Sequence, residues 1–444
     1  MCDLVKRRTY TANEGSKEDL MQKPRSRVFV LLLAVLILST HTIFAGGEQE
    51  NEEEVPTITF LTWNLPHYED AIMGWIEDFE EETGAKAVWI DRKGSELPTY
   101  YQTQLAAGTA PDIVEIQSVL WYEYAAEGIF MPLTPYLEAE PEVQERFTPA
   151  FFDAASLYDG DYYMLPTYTP SSLLFYNKPL FDDHGLSGPP ETLEELLEYT
   201  QTIHDGGDAG FITLNFDWLY WPLFRAAGVE ILNDSKTRAA FNTPAAVEVL
   251  EQLAALTRNG AIPEVAWTGR WAEPNSAFGA GGIGMHHGHT PLLRSFMSTS
   301  EWANEDTVGI DLFPGGWSVP NYHGFGITST TEHPDLAWRF IEIATNDMWA
   351  ETLVRTLGSL SGNAAADRAV LNDDEFREEN PLLVEMFETQ LSDELRLTGT
   401  TNVAEDAEIK EAVYANLERA LFGEVSAAEA LAAAERQVND ILED

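Results

Sequence analysis

The chain has 444 residues, enough for two or more domains with substantial cores, and its apolar and aromatic content is that of a globular protein. Its 26 basic and 74 acidic residues give a net charge of −48, which repels nucleic acid and anionic lipid and excludes them as partners held by charge. The single cysteine, Cys2, excludes an internal disulfide and any cysteine-based zinc or thiol site in the folded part.

The N-terminus follows a recognisable plan. Lys23, Arg25 and Arg27 precede an apolar run over 28–38, and a polar stretch ends in Ile43-Phe44-Ala45 before Gly46-Gly47. This order predicts a signal peptide over 1–45, cut after Ala45, with Met21 as an alternative start. The apolar run is too short for a membrane span, and no cysteine follows it, so the leader is not of the lipoprotein type. A periplasmic or otherwise extracytoplasmic location is therefore expected. Residues 46–55 read as a solvated acidic linker.

Next comes "TITFLTW", whose alternation and β-branched residues predict a strand over 57–63. Ile72, Trp75, Ile76 and Phe79 recur at helical spacing up to Gly84. "AKAVWID" predicts a second strand, "LPTYYQTQLAAG" a helix ended by Gly108, and "PDIVEIQ" a third strand. Strand–helix–strand–helix–strand implies a parallel α/β unit. "LYDGDYYMLP" predicts a hairpin turning at Asp159-Gly160. "SSLLFYN" predicts a strand, after which Lys178 begins a turn into a loop. Thr192 and Glu195 form a capping box for a following helix. Thr243-Pro244 starts a helix that runs through Arg258 and closes at Asn259-Gly260. Pro334 starts another, and residues 426–444 an amphipathic last one.

The stretch "FGAGGIGMHHGHT" carries two competing signals. Gly279, Gly281 and Gly284 fit a dinucleotide fingerprint, but that motif must follow a strand and open a helix. Here the glycines precede "IGMHHG", which predicts a strand, so no cofactor is expected. Alternation places only two of His286, His287 and His289 on one face, too few for zinc. No metal is expected; His287 either lines a cleft or packs.

The order of segments resembles the sugar-binding, maltose-binding-protein type of ABC-transporter extracellular solute-binding proteins. "LAAGTAPDIVEI", "LYDGDYYMLP", "LLFYNKPLF" with "PPETLEEL", "FNTPAAVEVLEQLAALTRNGAI", "FGAGGIGM" and "GFGITSTTEHPDLAWRFIEIAT" carry the resemblance, over roughly 56–444. The chain departs from the pattern at Gly281-Gly282, where the family often has a basic residue, and near Ser361-Gly362, where it often has Pro-Thr. The resemblance implies an α/β, two-lobed periplasmic-binding-protein-like fold with three interlobe crossings and a ligand cleft. The crossings are expected near 168–172, 282–284 and 322–325. Lobe 1 would then comprise 56–168 with 284–322, and lobe 2 residues 169–283 with 323–444. The implied partners are a carbohydrate, expected to be an oligosaccharide, and an ABC permease, with the protein acting as a monomer.

A sugar presents apolar C–H faces and a rim of hydroxyls, so its site needs flat aromatic platforms and convergent polar groups. Candidates at expected strand ends and loops are Trp63, Asn64 and His67, then Gln117 and Ser118, then Tyr168. The second lobe would add Asp217, Trp218, Trp221, Arg270 and Trp271, with His287 coming from the first lobe and Trp317 from near the last crossing. Each tryptophan reads alternatively as core, Asp217 as a loop turn, and Arg270 as half of a surface ion pair. The competing function is a secreted glycoside-acting enzyme using a carboxylate pair. No G-x-S-x-G elbow or catalytic cysteine supports catalysis, and a non-enzymatic binding role is expected.

Overall fold

A computed structural model describes residues 55–63, 68–93, 96–117, 121–213, 220–267, 270, 272–399 and 401–443. The leader and most of the acidic linker lie outside them. Nine strands build two sheets: β1 (Thr57–Trp63), β2 (Lys86–Arg92), β3 (Ile113–Gln117), β4 (Leu165–Tyr168), β5 (Ser172–Asn177), β6 (Ala209–Thr213), β7 (Ile283–His289), β8 (Val308–Asp311) and β9 (His323–Ile327). The first sheet has the order β2-β1-β3-β9-β4 and the second β8-β5-β7-β6. β1 runs parallel to β2 and β3, as the helical crossovers Glu69–Thr83 and Leu97–Ala107 require. β9 is antiparallel to both β3 and β4.

Local signals explain most of these elements. Leu193–Gly206 starts on the Thr192–Glu195 capping box, and Pro244–Asn259 ends on a left-handed Gly260. Asp159 and Gly160 both take positive φ in the tight hairpin turn between 157–158 and 161–162. The turn expected at Lys178 is instead a short helix, Lys178–Asp183. The Asn177 side chain accepts from the Leu180 N–H, and Pro179 sits in the first turn, where its missing N–H costs nothing.

The strand over 283–289 exists, but it does not join the first sheet. β7 is antiparallel to β5 and parallel to β6, at the interior of the second sheet. All seven of its residues are buried, as a strand covered on both faces requires. The glycines before it form a turn rather than a crossing. The helix Ala272–Gly279 ends there, Gly281 takes φ +90°, and the Asn177 side chain donates to the Gly281 carbonyl at 3.1 Å. Conversely, β9 lies between β3 and β4 in the first sheet, although residues from 323 onward were expected in the second lobe.

The chain passes between the sheets at 169–171 and returns at 319–322. The helix Asp347–Leu357 touches both cores, Leu353 the first and Val354 the second, and beyond it Leu360 and Val370 belong to the second core. These three passages lie side by side. The Asn321 N–H donates to the Pro170 carbonyl at 2.8 Å, Ser172 N–H to Val319 at 3.0 Å, and Thr169 N–H to Leu360 at 2.6 Å. Among the described residues no helix is long and apolar enough to cross a membrane.

Candidate functional site

The first sheet gathers aromatic and polar groups at one edge because of its strand directions. β1, β3 and β4 finish there on Trp63, Gln117 and Tyr168, while the opposed β9 begins there on His323. His323 lies opposite both Gln117 and Tyr168, and directly opposed residues share a face of the sheet. Its ring stacks on Tyr168 at 4.2 Å and meets Trp63 at 4.7 Å. Among the described residues, Trp63 Nε1 and His323 Nδ1 are both buried without a hydrogen-bond partner. Buried polar atoms of this kind cost free energy unless a ligand meets them.

Beneath this floor, Glu115 is fully buried. Its Oε1 accepts from the Tyr68 hydroxyl at 3.0 Å and from Thr167 Oγ1 at 3.3 Å. Burial pushes its carboxyl up to about 7, against the opposing pull of those hydrogen bonds. Burial and the nearby Glu115 push the Tyr68 and Tyr168 hydroxyls well above their ordinary range.

The second sheet brings β7 to the same region through the passages. His289, its last residue, receives the Asn321 side chain at 3.4 Å; burial and, behind it, the nearby His289 keep His323 neutral. His287 packs on Phe313 at 4.4 Å, with Nε2 buried and unpaired. His286 belongs to a different environment, bonded to Asn275 Oδ1 at 2.8 Å and packed by Phe278 and Phe296. Among the described residues no group of three or more His, Cys, Asp or Glu is placed to hold a metal.

Burial lowers His286, His287 and His289 to about 3 from an ordinary 6.5. The unfolded chain therefore binds more protons in acid. The stability tied to these neutral rings is intact above about pH 6.5 and is lost as pH falls toward 3. Glu115 acts in the opposite sense. Its contribution is present below its ordinary 4.5 and is lost as pH rises through about 7. The three histidines, with His323 lowered in the same sense, outweigh Glu115 and the buried Asp367, raised to about 6, so the urea midpoint is expected to fall between pH 7 and pH 5. Glu115→Gln is expected to raise the midpoint at pH 8 and leave it unchanged at pH 4. A midpoint that is flat with pH would show these rings charging freely within the fold.

The remaining sequence candidates scatter. Asn64, His67, Ser118, Asp217, Trp218 and Trp271 lie outside the described residues. Arg270 is exposed and paired with Glu273 at 3.0 Å, the surface pair that was its alternative reading. Trp221, expected as a platform, is wholly buried against Phe224 and Tyr414 in the second core. The correction is physical: the helix Tyr220–Ala226 turns this position inward, so no ring face is left for a ligand. Trp317 is half-buried, and its ring lies under the Arg225 guanidinium at 4.4 Å and Arg396 at 5.7 Å. Glu115, Tyr68 and His323 were not singled out in the sequence. Only Glu115 left a signal, a lone charge inside the apolar run "DIVEIQ".

Residues 66–351 match the family model described as bacterial extracellular solute-binding protein. Binding proteins of Brucella abortus and Brucella suis are 25% identical over 275 residues, 59% of this chain and 64% of theirs. The chain thus matches these relatives over less than two thirds of their length. A galactooligosaccharide-binding protein of Bacillus subtilis is 27% identical over 197 residues, covering 44% of each chain. The fold is that of an ABC substrate-binding protein of Listeria monocytogenes solved in complex with cycloalternan. The TM-score is 0.72 at 20% identity, over 87% of this chain and 99% of the other.

Proposed function

The chain belongs to the bacterial extracellular solute-binding proteins, and on that premise we propose that it is the exported carbohydrate-binding subunit of an ABC importer. The observation that carries this reading is the floor formed by Trp63, Tyr168 and His323, whose rings pack together beside buried, unpaired Trp63 Nε1 and His323 Nδ1. The half-buried Trp63 ring offers a face to sugar C–H groups, and the unpaired nitrogens offer polar atoms to hydroxyls. The names of the Bacillus and Listeria relatives' ligands favour an oligosaccharide. On this reading, residues 55–168 with 323–357 form one lobe, and 172–318 with 360–443 the other. Ligand binds between them, the lobes close about the three passages, and the closed monomer delivers its cargo to a membrane permease.

A thermal-shift screen over mono- and oligosaccharides tests the ligand class. A sugar that binds only the folded state stabilises it by about 2.7 kcal/mol at a hundredfold excess over its Kd. A screen in which no sugar raises the melting temperature would reject the carbohydrate reading. The same sugar should be recovered intact after incubation; appearance of a hydrolysis product would favour the carboxylate-pair enzyme instead. Export places the mature N-terminus after Ala45, and N-terminal sequencing of secreted protein that found Met1 or Met21 would reject that cut.

A further inference from the structure

We propose that the segment 395–399, clasped through Asn402 to Tyr122, is a strap that biases the unliganded chain toward lobe closure. The proposal rests on the two-lobe reading above, but the scattering arm of its test needs no ligand.

The strap is rooted in the second lobe. Arg396 and Leu397 pair in parallel with Trp317 and Ser318, and the Thr398 N–H donates to the Ser318 carbonyl at 2.9 Å. Beyond it, the Thr401 N–H and hydroxyl donate to Asp406 Oδ1 at 2.6 and 2.5 Å, while Lys236 Nζ donates to the Asn402 carbonyl at 3.3 Å. The segment is thus fixed on both sides to elements that follow β5 in the chain.

Its contacts on the other side belong to the first lobe. Leu395 and Leu397 pack against the cluster that contains Trp121 and Tyr122. That cluster is preassembled: Trp121 and Tyr122 stack at 4.0 Å, and Tyr158 meets Tyr122 edge-on at 5.8 Å. Into it reaches the Asn402 side chain, whose Oδ1 accepts from the Tyr122 hydroxyl at 2.5 Å across 280 residues of sequence. Glu405, three residues on, lies near enough to Tyr158 to help raise its hydroxyl, behind the larger effect of burial.

The backbone at Asn402 supports a role for its side chain. The residue takes φ +53°, a left-handed conformation that glycine adopts freely and asparagine tolerates better than most. Glycine would satisfy the turn but could not reach Tyr122. One short hydrogen bond and two leucine contacts are of the same order as the few kcal/mol that separate open and closed forms of such molecules. A strap of this strength would raise the closed fraction before ligand arrives, and ligand affinity with it.

Small-angle X-ray scattering on the unliganded mature chain tests this, comparing wild type with Tyr122→Phe, Asn402→Gly and the double variant. Tyr122→Phe keeps the stacked ring, Asn402→Gly keeps the backbone conformation, and melting curves confirm that both fold. Either single change should enlarge the radius of gyration, and the double variant should add little, because both remove the same bond. Affinity for the sugar found by thermal shift should fall about fivefold in each. The strap is overturned if the wild type is already as extended as its variants, or if the variants stay as compact as the wild type. Failure of the carbohydrate reading shows separately, as absence of any sugar-induced melting shift while the scattering difference persists.

Discussion

Trp221→Ala is expected to destabilise the fold by about 3–5 kcal/mol, the cost of removing a fully buried tryptophan from a packed core. The ring has no exposed surface and rests among Phe224, Tyr414 and the rest of the second core. Helix Tyr220–Ala226 and helix Asp406–Leu421 are both packed into that core and would face the cavity. Denaturant midpoints, with the slope m held in view, measure the loss. A normal midpoint accompanied by lost sugar binding would return Trp221 to the role of ligand platform that its sequence neighbourhood suggests.

Trp63→Ala should do the reverse. It is expected to weaken carbohydrate binding by about 2 kcal/mol or more, roughly thirtyfold, as for an aromatic hot spot in a desolvated site. Trp63 is only half-buried. It terminates β1, meets His323 at 4.7 Å and leaves its Nε1 without a partner, so it is poised at the edge of the sheet rather than locked inside it. Its removal should cost less stability than that of Trp221. Calorimetry with the sugar found by thermal shift, beside a melting curve, separates the two effects. Unchanged affinity would place the site away from the ends of β1, β4 and β9.

The contrast between these two tryptophans shows where sequence reading stops. Both stand near turn residues, and neither periodicity nor composition distinguishes them. What separates them is the direction each element faces once packed. β1 ends at the sheet edge, where Trp63 meets the first residue of a strand 260 positions later in the sequence, whereas the short helix after β6 rolls Trp221 into the core. The same holds for the histidines. Alternation along 283–289 assigns His286 to a different face from His287, but not the sheet to which the strand belongs.

The sequence by itself determined many of the elements and the family. Strand and helix periods, the Thr192 capping box, the Asp159-Gly160 turn and the glycine stops are local, so each is encoded within a few residues and survives into the fold. The ordered segments that carry the family resemblance are equally legible without coordinates. Only the tertiary structure decided which sheet receives β7 and β9, where the chain passes between sheets, and which aromatic rings meet at the floor. Those are pairings between residues far apart in the chain. A buried strand such as β7, with apolar or neutral groups on both faces, carries no mark of its partner. Glu115 shows the same limit from the other side. Its charge is visible in the sequence, but its environment consists of Tyr68 and Thr167, 47 and 52 positions away, and these contacts exist only after folding.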